Sequence, residues 1–406
     1  MKKMVLFLCG GRWQEPWVKF LKEKGHQIIL VDPNINPICK KYADVYFQED
    51  VKQVDAIFEF ISKGEFEIEF VTSDQTDVAT IPVAILSQKF NTPAIPLEVV
   101  EKFTNKFLSR DFVASIDNTH VPNYAQVVSL ECILTFVESS TCDKFIIKPA
   151  NAQSSRGIEA FDNNVTNQDL EYHLQHALLH STTGYAVVEE FVNGTEITIE
   201  GIVIDRKHHI MAASRKKHFR MGIASELAYP LVSKNEFLDR IFSFHSKIIE
   251  ATKIPFGITH SEYIINETTQ EFWLVEMACR GGGSLIPSHI VPWVSQIELY
   301  PILYNALTKQ TTTGLSFEVG EAKKAAVLHF FEFKEGVVKT ILGLDECSKM
   351  KGVVLIDLEF KPGDSIKSAS DDRGRQGFAI VFGDNLSDCY LVINQLYERI
   401  NIEYEL

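Results

Sequence analysis

The sequence predicts a mixed α/β and α+β protein in three parts: a doubly wound unit over 1–97, a strand-rich middle over 98–320 and a small α+β domain over 321–406. Three observations carry this expectation. The apolar run MVLFLC at 4–9, a loop, a helix and the strand QIILVD form a β–α–β start, as in parallel sheets buried on both faces. From 185 to 231 strand follows strand (YAVVEEF, EITIEGIVI, HIMAASRKKHF, ELAYP). At 406 residues the chain is also too long for one ordinary core.

The elements follow in order. Pro16 is suited to open a helix over 16–24, and the next strand ends at Asp32. Gly10-Gly11 occurs without GxGxxG, so this start reads as a scaffold rather than a dinucleotide site. The strand IEFVTSD (68–74) has a polar tip, a helix runs through Ala79–Phe90, and the turn Thr92–Pro96 closes the unit. The middle opens with helices 97–103 and 105–116, strand 124–128, helix 130–138 and strand KFIIKP (144–149). A polar segment 150–157 and a helix 167–180 lead into the strand series, then a helix 234–252, a hairpin within Phe256–Gly283 and a helix 295–309. After the polar TTTG (311–314) come short strands, AAVLHFFEF, VVLIDLEF and GFAIVFG, and a last helix 386–402.

Composition narrows the function. With 45% hydrophobic and 23% charged residues the chain reads as an ordinary soluble globular protein. A net charge of −14 argues against nonspecific nucleic-acid binding, because nothing neutralises phosphates broadly. No apolar run is long enough to span a bilayer, so no membrane partner is expected. MKKMVLFLCGG imitates a signal peptide, but its short apolar run ends in Gly-Gly and reads as a first strand. Seven cysteines without CxxC spacing fit reduced thiols in a cytoplasmic protein, not a disulfide framework or zinc site.

Several residue groups could carry chemistry. In an antiparallel hairpin, opposed positions have a constant sum and side chains alternate faces. A turn centred on 269 therefore sets Glu262 opposite Glu276 on one face, with Arg280 and three glycines just beyond. Opposed like charges are unfavourable. A divalent cation would offset them, and two solvated acids are the other reading. Lys148 ends a buried strand and precedes PANAQSSRG, where Ser154, Ser155 and Gly157 can present hydroxyls and N–H groups to an anion. This is not a Walker loop. Lys106 begins a helix that Thr104 or Asn105 can cap, and alone it reads as a surface lysine. Glu189, Glu190, Phe191 and Val192 end a strand before the turn Asn193-Gly194. The next strand carries Glu196, Thr198 and Glu200 on one face, where an acid can hold a ribose hydroxyl; an exposed hairpin face is the alternative.

Taken in order, Lys106, Lys148 with its Ser/Gly loop, Glu189–Val192, Glu196, Glu262, Glu276 and Arg280 resemble the ATP-grasp superfamily. The resemblance covers almost the whole chain. It implies a Rossmann-like domain over 1–97, a two-subdomain ATP-grasp fold over 98–320 and a small closing domain over 321–406. That last domain is similar to those of the biotin-carboxylase-like and glycinamide-ribonucleotide-synthetase-like branches. By the same resemblance, Lys106 and Lys148 contact the phosphates and Ser154, Ser155 and Gly157 close over them. Glu189, Glu190 and Val192 line the adenine pocket, and Glu196 holds the ribose. Glu262 and Glu276 hold Mg²⁺ (or Mn²⁺) bridging the ATP phosphates. Arg280, with Lys148, is catalytic and binds the acyl phosphate or the substrate carboxylate.

His260, two residues before Glu262, shares its face and is a substrate candidate or a strand spacer. The basic run RKKHFR divides by alternation into Arg215, Lys217 and Phe219 on one face and Lys216, His218 and Arg220 on the other. Lys217 and Arg220 are the substrate candidates from the two faces.

Three positions depart from the family pattern. Ala278 stands where an asparagine ligand is common, Gln153-Ser154 where glycine is common, and Asn105 where an acid often precedes the first lysine. The implied activity is carboxylate–amine ligation through an acyl phosphate, with small-molecule carboxylate and amine substrates and an amino acid as one form of amine. Relatives often dimerise, so a homodimer is an expectation of the resemblance. A phosphoribosylglycinamide-synthetase-like ligase is the runner-up. It needs a second anion site, for which Arg373 and Arg375 are the candidates. A biotin-carboxylase role is disfavoured, because the chain carries no biotinyl domain. A non-catalytic ATP-binding regulator, favoured by Ala278, and an NAD-dependent dehydrogenase resting on Asp32 are the readings of other classes.

Overall fold

A computed structural model describes residues 3–231, 235–310 and 324–405. The first unit is a parallel sheet in the order β3-β2-β1-β4. Its strands are β1 (Lys3–Leu8), β2 (Gln27–Asp32), β3 (Val45–Gln48) and β4 (Glu67–Thr72), with helices α1 (Glu15–Glu23), α2 (Val54–Lys63) and α3 (Thr80–Lys89). β1, β2 and β4 match the apolar runs read from sequence. β3 and α2 were not anticipated, because VYFQ is a short, half-buried edge strand without a continuous apolar run.

Next come α4 (Leu97–Thr104), α5 (Lys106–Ala114), β5 (Tyr124–Val127), α6 (Leu130–Ser139), β6 (Lys144–Pro149), β7 (Glu159–Asp162), α7 (Asn167–Leu179) and β8 (Ala186–Glu190). Their strands form an antiparallel sheet, β5-β8-β6-β7, whose apolar face packs on α6 and α7 through Ile133, Leu170 and Leu174. Asn105 is the cap of α5: its side chain accepts from the backbone N–H groups of Phe107 and Leu108. That fixes Lys106 as the first helical residue.

β9 (Thr195–Ile204), β10 (Lys207–Arg220), β11 (Ile223–Tyr229), α8 (Glu236–Ala251), β12 (Gly257–Asn266), β13 (Glu271–Ala278), α9 (Val291–Ser295) and α10 (Leu299–Leu307) follow. The helix expected over 295–309 is α10 and begins only at Leu299, because Gln296 adopts a left-handed conformation (φ 60°) that ends the preceding α9. The tail holds β14 (Ala325–Phe330), β15 (Gly336–Leu342), α11 (Leu344–Ser348), β16 (Val353–Leu358), β17 (Ser365–Ile366), β18 (Gly377–Gly383), α12 (Leu386–Arg399) and β19 (Asn401–Tyr404). The boundary expected at 320/321 and the TTTG segment lie outside the described residues. β11 pairs with β14, so β14, β18 and β16 of the tail extend the sheet of the middle region in the order β13-β12-β9-β10-β11-β14-β18-β16, while β17-β15-β19 form a separate sheet.

One core joins the first unit to this large sheet. It runs from Val5, Phe7 and Trp17 through Tyr300 and Leu303 to Leu227, Leu328 and Phe378. Trp17 packs on Tyr300 with ring centroids 4.9 Å apart, and Trp13 meets Phe378 edge-on at 5.4 Å. The shared core includes Phe70 of β4 and Leu285 and Ile286 beyond β13, and Asp74 of the loop after β4 accepts from Gly281 N, so that loop lies at the candidate site. Among the described residues no helix is long and apolar enough to cross a membrane.

Candidate active site

The hairpin β12–β13 pairs His260 with Ala278, Ser261 with Met277 and Glu262 with Glu276, then slips by one residue at a bulge to pair Tyr263 with Leu274. The two glutamates thus oppose each other, and both line a cavity of about 320 Å³. Cations of the chain itself offset their repulsion. Lys216 Nζ lies 2.8 Å from Glu262 Oε1 and 2.5 Å from Glu196 Oε1. Glu276 lies 3.8 Å from Lys106 Nζ and 3.9 Å from Arg280 Nη2. Burial would raise the Glu262 carboxyl, but the Lys216 ammonium and His260 hold it well below the usual range.

His260 Nδ1 lies 2.9 Å from Glu200 Oε1, and its Nε2 lies 3.4 Å from Glu262 Oε1. Burial would lower its pKa, yet the Glu200 carboxylate pushes it up to about 10. A folded-state value above the unfolded one stabilises fully below about pH 6.5, and the contribution disappears as pH rises through about 10. His260→Asn is therefore expected to flatten the loss of stability between these limits. Urea unfolding of both proteins at several pH values measures it, and parallel pH profiles would refute the assignment of charge.

Lys106 lies outside this cavity, as do Lys148 and Glu189; it donates its backbone N–H to Ala150 O at 2.7 Å and its Nζ to Ala152 O at 2.8 Å. Lys148 Nζ donates to Glu189 Oε2 at 2.7 Å, and Arg110 Nε lies 3.0 Å from Glu189 Oε1. Burial would raise Glu189, but Arg110 and Lys148 outweigh it and hold the carboxyl at about 2. Burial pulls the Lys148 ammonium down, with Glu189 opposing.

Lys106, Ser109 and Arg110 line a second cavity of about 660 Å³, and Glu276 and Gln153 line both cavities. Buried Ser109 Oγ and Arg110 Nη1 have no hydrogen-bond partner in the protein. These unpartnered donors beside a cavity fit a polar or anionic ligand.

Ser154 and Ser155 line the 320 Å³ cavity with left-handed backbones (φ 61° and 58°), and Ser155 lies against Gly222 of the β10–β11 turn. Gly157 lines neither cavity. Its φ is +68°, and a Cβ there would come within 2.9 Å of His180 and Pro149, so packing explains this glycine. Glu189, Glu190, Val192 and Glu196 also line neither cavity. Glu189 is spent on the buried ion pairs, Glu190 accepts from the Ser140 hydroxyl, and Glu196 holds Lys216 and His218.

The basic run resolves into its two faces. Lys216 lines the cavity, whereas Lys217 turns the other way to Glu226 at 2.9 Å and the ring of Tyr390. Arg220 reaches Glu332 at 2.6 Å and the carbonyl of Ala369. Neither substrate candidate from this run, Lys217 or Arg220, joins the site. Alternation removes Lys217, and register shifts on either side of His218 turn Arg220 outward. Lys216 stands there instead.

Arg280 is held by Asp77: its Nε donates to Oδ1 at 2.7 Å and its Nη2 to Oδ2 at 2.5 Å. Asp77, Lys216 and Asp372 were not picked out as site residues from the sequence, which offered Arg375 only as a second anion site. For Asp77 the available signal was the polar tip of IEFVTSD, which continues into Gln-Thr-Asp. Asp372 and Arg375 line the cavity from the tail, Arg375 Nη1 lies 3.3 Å from Asp372 Oδ1, and its guanidinium covers Phe330 at 3.6 Å. Asp32 accepts from Gly10 N at 2.7 Å and Asn34 N at 2.8 Å, so it closes its own βα loop. Its carboxylate is already engaged, which counts against the dehydrogenase reading.

Among the described residues no three His, Cys, Asp or Glu side chains cluster to hold a metal. Two carboxylates facing a cavity suit Mg²⁺, which is commonly held by one or two carboxylates with phosphate oxygens and water completing its shell.

Residues 329–405 match the family model described as L-amino acid ligase C-terminal domain 2. The structure is similar to an L-amino acid ligase from Bacillus licheniformis (TM-score 0.83, 18% identity, covering 100% of this chain and 99% of that one). It is also similar to phosphoribosylglycinamide synthetase from Anaerococcus prevotii (TM-score 0.74, 19% identity, 100% of both chains). A third similar structure is the dimeric biotin carboxylase domain of the Hydrogenobacter thermophilus 2-oxoglutarate carboxylase, in complex with MgADP, ADP and bicarbonate (TM-score 0.74, 14% identity, 99% and 90%). No curated protein sequence matches the chain significantly. The chain shares the fold of these enzymes, and its residues 329–405 match the L-amino acid ligase C-terminal domain 2 family.

Proposed function

We propose that this protein is an ATP-dependent carboxylate–amine ligase that forms an amide through an acyl phosphate and releases ADP and phosphate. The observation that supports it most is the opposed pair Glu262 and Glu276 in a cavity shared with Lys216 and Arg280. A carboxylate approaching a γ-phosphate meets anion–anion repulsion, and a site for that step needs cations placed in advance. Glu262 and Glu276 would hold Mg²⁺ (or Mn²⁺), and bound Mg–ATP supplies the phosphoryl group and neutralises its charge. Lys106 and Lys148 serve the phosphates, and Ser154 and Ser155 shield them from water. Arg280 binds the substrate carboxylate, with Lys216 and His260 adding positive charge beside it. Glu190, Val192 and Glu196 remain the proposed adenine and ribose contacts, whereas Glu189 is committed to Arg110 and Lys148. The domain limits 1–97, 98–320 and 321–406 belong to the same reading, as does a homodimer, which light scattering would read.

The tail arginines bear on the amine. A phosphate-bearing substrate needs cations free to meet it, but Arg373 pairs with Asp371 at 2.7 Å and Arg375 with Asp372 at 3.3 Å. A neighbouring acid and base suit a zwitterion, one group for its ammonium and one for its carboxylate. This favours an amino acid over a phosphoribosylamine. Phosphate release from Mg–ATP, screened across amino-acid pairs and against phosphoribosylamine with glycine, tests the proposal. Release with amino-acid pairs alone is the expected result. Release only with the phosphoribosylamine would establish the runner-up, and tight ATP binding without release for any pair would establish the non-catalytic reading.

A further inference from the structure

The loop after β4 grips the segment after β13 at three points. Asp74 Oδ1 accepts from Gly281 N at 2.8 Å, Gln75 Oε1 accepts from Leu285 N at 2.9 Å, and Asp77 holds Arg280 with both oxygens. Asp74 is buried and is itself fixed by the hydroxyl of Tyr300 at 3.1 Å. The same loop touches the serine loop, since Asp77 N donates to Gln153 Oε1 at 3.1 Å. Gln153 follows Ala152, whose carbonyl takes the Lys106 ammonium. Asp77 thus stands between two elements that approach from different parts of the chain.

The arginine needs such a partner. Its long side chain is free to rotate unless the N–H edges of its planar fork are engaged, and a bidentate carboxylate fixes its plane and direction. Asp77 occupies Nε and Nη2, and the Gly281 carbonyl takes Nη1 at 3.0 Å. Glu276 Oε1, 3.9 Å from Nη2, lies beyond hydrogen-bond reach and cannot fix the plane.

We propose that Asp77 is a positioning residue: it aims Arg280 into the cavity and, through Gln153, couples that aim to the serine loop. The first unit then contributes to catalysis as well as to folding. The positioning role rests on the ligase reading only for its kinetic arm, and the coupling rests on it for its nucleotide arm as well.

Hydrogen exchange on the full chain tests it, with and without Mg²⁺ and the non-hydrolysable analogue AMP-PNP. Without nucleotide, Asp77→Asn is expected to speed exchange at 280–285 at least tenfold while exchange in β9 and β12 is unchanged. With AMP-PNP, the wild type is expected to gain protection at both 150–157 and 280–285, and Gln153→Ala to gain it at 150–157 alone. In turnover, Asp77→Asn raises KM for the carboxylate at least tenfold and leaves KM for ATP within twofold, and Asp77→Glu recovers most of the loss. Unchanged exchange at 280–285 in Asp77→Asn would overturn the positioning role. Joint protection of both segments in Gln153→Ala would overturn the coupling. If AMP-PNP protects nothing in the wild type, the coupling and the ligase reading both fail, and the nucleotide-free comparison still decides the positioning role. Should Asp77→Asn fail to fold, Asp77→Ser, which also removes the bidentate carboxylate, carries the same exchange comparison.

Discussion

Glu276→Gln is expected to lower turnover by about 10²–10³-fold, the scale of losing one electrostatic partner of a transition state, with little change in the urea-unfolding midpoint. Glu276 lines both cavities and faces Glu262 across the hairpin, so it is one of only two carboxylates proposed for Mg²⁺. Its charge partners lie at 3.8 and 3.9 Å and its side chain is 28% exposed, so little folding energy depends on it. The amide keeps the shape and removes the charge. Initial rates across a Mg²⁺ titration measure the effect: the variant should need more metal and still not reach the wild-type rate. A near-normal rate would remove Glu276 from the metal site.

The second large effect belongs to Glu189. Glu189→Ala is expected to destabilise the protein by about 3–5 kcal/mol, because it leaves buried cations without their counter-charge. The side chains of Glu189, Arg110 and Lys148 are 2%, 1% and 9% exposed, so solvent cannot replace the lost carboxylate. The pH dependence has a definite sign. With its folded pKa depressed to about 2 from 4.5, the carboxylate contributes fully above pH 4.5, and that contribution is lost as pH falls through about 2. Acid unfolding of the wild type should therefore be steeper across this window than that of Glu189→Ala. Weaker AMP-PNP binding should accompany it, since Lys148 loses the partner that orients it. A stability change below about 1 kcal/mol would show that the triad is not what holds this part of the fold.

Much of the architecture was legible because local physics dictates it. The buried strands of the first unit are continuous apolar runs, and α5 begins where Asn105 can cap it. A turn centred on 269 sets Glu262 opposite Glu276, whereas the structure centres the turn half a residue earlier, pairing Asn266 with Glu271, and the bulge between Glu262 and Tyr263 restores the opposition. Weak local signals escaped: β3 is short and half buried, and β17 has only two residues.

The face of RKKHFR that meets the site was not legible. Alternation separates Lys216 from Lys217 but says nothing of which side faces the cavity. That depends on Glu196 and Glu262 on the neighbouring strands drawing in one ammonium and Glu226 drawing out the other.

The sequence by itself determined most of the order of elements, the two acids that one hairpin carries, and the resemblance that those residues carry. Propensity, capping and strand period act over a few neighbours, so a single chain displays them directly. Only the tertiary structure decided how the charges are shared. Asp77 reaches Arg280 across 203 positions, and Arg110 meets Glu189 across 79. Asp372 enters the cavity from the tail. A buried cation takes the carboxylate that packing places beside it, and packing is a property of the assembled cores.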